Sequence, residues 1–130
     1  REEWKSEKLG RIRLIDLATH RSGLTRLPCD FFYKDPANPY ADYSEKNLVA
    51  SIKDQTVAKY PECKITAGPT GEVQYSNWGM ALLGHAVSVR AKQSFEELLR
   101  NWITLPLGMK DTVITLSSDQ RSRLVQGYTE

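Results

Sequence analysis

An apolar run with almost no polar face constrains this chain more than any other feature. From Asn77 the sequence reads NWGMALLGHAVSV. On a helix, Trp78, Leu82, Ala86 and Val89 share one side, and Met80, Leu83 and Val87 another. A helix that is apolar on nearly every face until Arg90 is expected to be buried, the central helix of the fold. Tyr75 and Asn77 stand at its mouth. A core tyrosine usually hides its ring and gives its hydroxyl one partner, whereas this polar pair is placed at a boundary.

The remaining segments read as shorter helices and one long loop. Between Ile12 and His20, Leu14, Leu17 and Ala18 line one side of a helix that Ser22-Gly23 would stop, the glycine suiting a left-handed turn. Residues 25–43 hold Pro28, Pro36 and Pro39 among Asp, Asn, Phe and Tyr, the composition of a long surface loop. Its aromatics Phe31, Phe32, Tyr33, Tyr40 and Tyr43 either pin the loop to the body, the simpler expectation, or line a groove. Ser44 opens an amphipathic helix to about Tyr60, striped by Leu48, Ile52 and Thr56. The turn-rich ITAGPTGEVQ leads to Tyr75.

Ser94-Phe95-Glu96-Glu97 is a capping box, in which the serine and the third-position glutamate satisfy free amides reciprocally. Phe95, Leu98, Leu99, Trp102 and Ile103 follow at amphipathic spacing, and Pro106 is expected to end the helix by pushing Leu105 out of helical geometry. Met109 to Leu116 suits a short strand or extended link, and Ser117 to Gln120 a further capping box before a helix ending near Gly127. Repeats and low-complexity tracts are absent, and the whole is expected to be mainly helical.

Composition narrows the function classes. The 130 residues, 40% apolar and 26% charged, fit one globular domain with a real core. Eighteen basic and sixteen acidic side chains leave a net charge of +2, and the basic residues are scattered rather than clustered for nucleic acid or an anionic membrane. No apolar segment has the length to cross a bilayer. Cys29 and Cys63 make no metal motif; a disulfide between them fits an oxidising compartment, and two separate thiols are the simpler expectation. The first residues, REEWKSEKLG, carry neither an initiator methionine nor a signal-peptide pattern, as expected of a piece of a longer protein.

His20 and His85 are the only histidines, too few for a metal proposal. His85 lies within the apolar helix and reads as a hydrogen-bonded core or boundary residue; His20 ends a helix, where the dipole favours positive charge. Asp16 and Asp111-Thr112 read as cap, turn or surface residues. Tyr75 and Asn77 carry more chemistry. A phenol titrates near pH 10, so it serves as a base only where positive charge stabilises the phenolate; beside a lysine it can take a proton from a nucleophilic hydroxyl and return it to a leaving group. Asn77 offers a donor and an acceptor to a substrate carbonyl or that lysine. Read alone, these residues fit a simpler arrangement, with Tyr75 packed and Ser76 or Asn77 capping the helix.

Four stretches, in order, shift that balance: LIDLATHRSGL (Leu14 to Leu24), YSNWGMALLGHAV (Tyr75 to Val87), LPLGMKDT (Leu105 to Thr112) and RLVQGY (Arg123 to Tyr128). Together they resemble the serine β-lactamase family, nearest to the class C β-lactamases and their relatives among D-alanyl-D-alanine carboxypeptidases and β-lactamase-like carboxylesterases. The resemblance covers most of the chain from Ile12 onward. It implies that residues 1–130 form a single helical lobe of the two-lobed α/β β-lactamase/transpeptidase-like fold. It also implies that Tyr75 is the catalytic phenol, that Asn77 orients the substrate carbonyl and the catalytic lysine, and that His20 lies behind the site. Ser76, variable in such motifs, receives no role.

Two elements of that family are missing. No serine is followed three residues later by lysine, as the family's nucleophile element requires; Ser44, for example, is followed at that distance by Asn47. The Lys-Thr-Gly strand is absent too, and Thr70 separates Pro69 from Gly71 where relatives have Pro-Gly. The expected whole is a serine hydrolase acting on a β-lactam, D-alanyl peptide or small ester through an acyl-enzyme. It would need no metal or organic cofactor, and it would be an exported bacterial enzyme. This segment, lacking the nucleophile, is expected to be inactive alone and to complete its site with the remainder of the same fold. The alternative is a non-catalytic helical module for binding or assembly that retains the fold.

Overall fold

A computed structural model describes residues 9–53, 59–60, 65 and 72–127. Regular structure among them is entirely helical: a 3-10 turn at Leu9–Arg11, then α1 (Leu14–Ala18), α2 (Glu45–Ser51), α3 (Asn77–Ala91), α4 (Phe95–Leu99) with a π-helical turn at Arg100–Thr104, and α5 (Ser118–Ser122). The chain forms two compact units, Arg1–Ala86 and Val87–Glu130.

In the first unit, the buried core joins Leu9, Leu17, Leu24, Leu48, Ile52, Trp78 and Leu82. Trp78 is its largest fully buried side chain, and its indole N–H donates to Ser51 Oγ at 2.9 Å. Ser51 in turn donates to the Leu48 carbonyl at 2.7 Å. This chain of bonds fixes α3 against α2 while leaving neither polar group unsatisfied in the core. The expected central helix is therefore only partly buried: Trp78, Gly79 and Leu82 are covered, but Met80 and Val89 are exposed. All-round apolarity needs packing on several faces, and the described core covers one.

Helix α1 is shorter than the expected Ile12–His20. Asp16, read as a cap or surface residue, is almost fully buried; its carboxylate accepts from the Arg13 N–H at 2.9 Å and pairs with the guanidinium at 2.8 Å. These bonds to Arg13 hold Asp16 below the usual carboxylate range. Leu17 packs inward, but Leu14 is exposed. The turn after the helix uses His20 in the left-handed region at φ 57°, with Gly23 at φ 71°. Ser44 caps α2 by accepting from the Asn47 N–H. That helix stops at Ser51, well before Tyr60, where the Lys53 N–H closes onto the Ala50 carbonyl in a tight last turn. Residues 54–58, including Thr56 of the expected stripe, and residues 66–71, where a turn is expected, lie outside the described residues. Cys29 is disulfide-bonded, which corrects the expectation of separate thiols; Cys63 lies outside the described residues.

In the second unit the capping box forms as expected: the Ser94 hydroxyl accepts from the Glu97 N–H at 3.2 Å, and the Ser94 N–H donates to Glu97 Oε2 at 2.8 Å. Pro106 does not push Leu105 out of helical geometry; Leu105 keeps φ −67° and ψ −50°. Proline deprives the Trp102 carbonyl of its normal donor. The chain instead widens to π register, with Leu105 N–H on Arg100 O at 2.9 Å and Met109 N–H on Thr104 O at 2.8 Å. Residues 109–116 form neither a strand nor an extended run: the chain turns at Lys110 and Asp111, where the Thr112 N–H donates to the Met109 carbonyl at 3.3 Å, and bends at Ile114 and Thr115. Glu96 anchors it, accepting from the Thr115 N–H at 2.7 Å, the Thr115 hydroxyl at 2.8 Å and the Ile114 N–H at 3.1 Å. Ser117 and Gln120 form the last box, but α5 ends at Ser122, short of Gly127.

Two outcomes test these contacts. Ser51→Ala strands the Trp78 indole N–H in the core and should cost about 1–3 kcal/mol in urea unfolding; Trp78→Phe should then cost less in that background than alone. The Thr115 amide and hydroxyl, in that order, hold Glu96 below the usual carboxylate range. A carboxyl depressed by folding stabilises fully above its unfolded value, and that contribution is lost as pH falls through the lower folded value. The Thr115 amide resonance should therefore titrate in acid, and in Glu96→Gln it should not.

Candidate functional site

Both candidate residues flank the N-terminus of α3, and their placement follows from how that end is capped. Ser76 is fully buried; its hydroxyl accepts from the Gly79 N–H at 2.8 Å and donates to the Thr25 carbonyl at 2.7 Å. The Arg26 carbonyl takes the next amides, those of Asn77 at 2.9 Å and Trp78 at 3.2 Å. The helix end, whose first amides have no intrahelical partner, is thus closed by the segment after α1. Gly79 keeps this tight: a Cβ there would meet Ser76 Oγ at 3.3 Å and Leu17 Cδ2 at 3.6 Å.

Tyr75 is tied down on both sides by one residue. The Gln74 N–H donates to the His20 carbonyl at 2.8 Å, and the Ser76 N–H donates to His20 Nδ1 at 3.2 Å. The His20 and Tyr75 rings lie 4.7 Å apart, and the Arg26 guanidinium is 5.7 Å from the Tyr75 ring centre. Tyr75 itself is 59% exposed. Its backbone is fixed while its phenol faces outward.

Asn77 is half-buried, and its Nδ2 donates to the Tyr40 hydroxyl at 2.9 Å. Tyr40 belongs to an aromatic cluster in which Phe31 lies 5.4 Å from Tyr40 and 5.2 Å from Tyr43. The Tyr43 hydroxyl donates to Asp30 at 2.9 Å, and burial, more than the Asp30 carboxylate, pushes that phenol above its usual range. Phe31, Tyr40, Tyr43, Leu48, Asn77 and Trp78 are among the walls of a cleft of about 170 Å³. Of the loop's aromatics, Phe31, Tyr40 and Tyr43 therefore line a cleft, while Phe32 and Tyr33 are exposed and do not border it.

Other candidates lie elsewhere. His85 Nδ1 sits 3.2 Å from Glu45 Oε1 at the edge of the core, a boundary role. Asp111 pairs with Arg123 at 2.9 Å, and Arg123 first, then Gln120, holds its carboxyl below the usual range. A larger cleft of about 840 Å³ within the second unit includes neither Tyr75 nor Asn77, and its Glu96 and Glu97 are engaged by Thr115 and Ser94. Among the described residues no cluster of three or more His, Cys, Asp or Glu is placed to hold a metal, and no helix is long and apolar enough to cross a membrane.

Reasoning from sequence missed the contact between His20 and Ser76, and the one between Asn77 and Tyr40. Both join residues far apart in the chain, and only the family signature around His20 hinted at either.

The order and spacing of these elements are those of a known family. Residues 3–130 match the Beta-lactamase family, and the chain belongs to it. It is 32% identical over 114 residues to the D-alanyl-D-alanine-carboxypeptidase/endopeptidase AmpH of Escherichia coli (strain K12), covering 88% of this chain and 27% of that protein. A beta-lactamase of Pseudomonas fluorescens is 27% identical over 124 residues, which span 95% of this chain and 30% of that one. Among solved structures, a beta-lactamase/D-alanine carboxypeptidase from Yersinia pestis, complexed with citrate, superposes with a TM-score of 0.68 at 31% identity, over 95% of this chain and 32% of that one. The mainly helical fold expected from sequence is thus the one found, and the chain spans about a third or less of the relatives it matches.

Ser76→Ala removes the cap and leaves the Thr25 carbonyl without its hydroxyl donor. It should lower stability by about 1–2 kcal/mol, read from the urea midpoint; an unchanged midpoint would contradict the capping role.

Proposed function

We propose that this chain is the helical lobe, residues 1–130, of a longer serine hydrolase of the β-lactamase/penicillin-binding type, with Tyr75 as the catalytic phenol and Asn77 as a substrate-binding residue. The observation that carries the reading is an exposed Tyr75 on a clamped backbone, one residue from the capped start of α3, in a chain of this family. In the whole enzyme a serine hydroxyl attacks the carbonyl of a β-lactam, D-alanyl peptide or small ester. Tyr75 carries the serine proton to the leaving atom, and water then cleaves the acyl-enzyme by the same relay in reverse. The Asn77 side chain, already oriented by Tyr40, has donor and acceptor capacity left for a substrate carbonyl. Donors fixed before the reaction lose no free energy to reorganisation.

No serine of the chain carries the Ser-x-x-Lys spacing, so the isolated segment lacks the nucleophile and is inactive. By family habit the enzyme is exported and requires no cofactor. A second reading, a non-catalytic helical module for binding or assembly, draws on the exposure of Trp102, Leu105 and Leu107 in the second unit.

The full-length protein separates the two. Hydrolysis of nitrocefin or a p-nitrophenyl ester supports the enzyme, and Tyr75→Phe should lower kcat by about 10²- to 10⁴-fold with the fold intact. Full activity in that variant would remove Tyr75 from the mechanism, and no turnover of any ester, lactam or D-alanyl peptide would favour the module.

A further inference from the structure

Resting on that reading of Tyr75, we propose that His20 is a positioning residue for the reaction: its neutral imidazole holds the 74–76 backbone and thereby aims the Tyr75 phenol. Three contacts converge on it. The His20 carbonyl accepts the amide before Tyr75, its Nδ1 accepts the amide after Tyr75, and its ring lies 4.7 Å from the Tyr75 ring. An N–H of Ser76 aimed at Nδ1 requires that nitrogen to carry no proton, which places the imidazole proton on Nε2.

The backbone of His20 makes the arrangement possible. At φ 57° the residue is left-handed, a region that His and Asn enter more readily than most side chains and Gly most readily of all. The left-handed turn reverses the chain after α1 while the carbonyl and the ring both reach the 74–76 segment. Two groups of one residue thus grip residues 74–76, which belong to no helix or strand. Among the described residues, the Tyr75 ring lies against the imidazole and the Arg26 guanidinium lies over the Tyr75 ring.

A residue serving only as a left-handed turn is replaceable by glycine; one whose ring nitrogen is needed is not. His20→Gly keeps the turn and the carbonyl but deletes the acceptor. His20→Asn keeps the turn and presents Oδ1 near the place of Nδ1. In the full-length enzyme, with nitrocefin or a p-nitrophenyl ester as substrate, His20→Gly should lower kcat by about 10- to 100-fold with little change in KM. His20→Asn should restore most of that loss. Amide exchange at Ser76, read without any substrate, should accelerate in His20→Gly and stay protected in His20→Asn.

Equal activity and equal Ser76 protection in the two variants overturn the inference. If Tyr75→Phe lowers kcat while His20→Gly leaves it at the wild-type value, the positioning role fails alone. Should Tyr75→Phe retain full turnover, or the full-length enzyme show none, the catalytic reading fails and this role with it.

Discussion

Everything at the candidate site depends on how the N-terminus of α3 is closed. A helix that begins inside a core brings amides that need partners, and here a buried serine and a single carbonyl supply them. The Ser76 hydroxyl bonds in both directions, to its own helix and to the Thr25 carbonyl. Because Ser76 is locked inward, its two neighbours are set on either side of the cap. Tyr75 emerges into solvent, and Asn77 turns toward the aromatic loop. The two candidate side chains are thus held by the buried capping serine between them.

The same segment ties sequence-distant parts together. Residues 20 to 26 supply an imidazole nitrogen and the carbonyls of His20, Thr25 and Arg26 to residues 74 to 78. Two of the four family stretches meet at these bonds, so their joint presence reflects one piece of geometry. Gly79 belongs to the same set, since a side chain there would press on the Ser76 hydroxyl and on Leu17.

Local chemistry was the legible part of the sequence. The capping boxes at Ser94 and Ser117, and the Ser44 start of α2, formed as read because each is settled within four residues. Family membership was legible because the four stretches keep their order. Tertiary bonds were not. Nothing local announces that His20 grips Ser76 or that Tyr40 meets Asn77. Pro106 misled, because a helix can widen by one residue to keep its bonds. The apolar circumference of α3 misled as well: Trp78 and Leu82 are covered, while Met80 and Val89 are not. Periodicity reports what a helix face prefers, and packing decides which faces are satisfied.

The central claim is spatial: the phenol of residue 75 stands at the bond being made and broken. The most direct measurement is a crystal structure of the whole enzyme with its serine acylated by a slowly hydrolysed β-lactam. The account predicts the Tyr75 oxygen at hydrogen-bond distance, about 3 Å, from the acylated serine oxygen. An acyl-enzyme whose serine oxygen contacts a different proton carrier, with Tyr75 turned into the surrounding solvent, would contradict it.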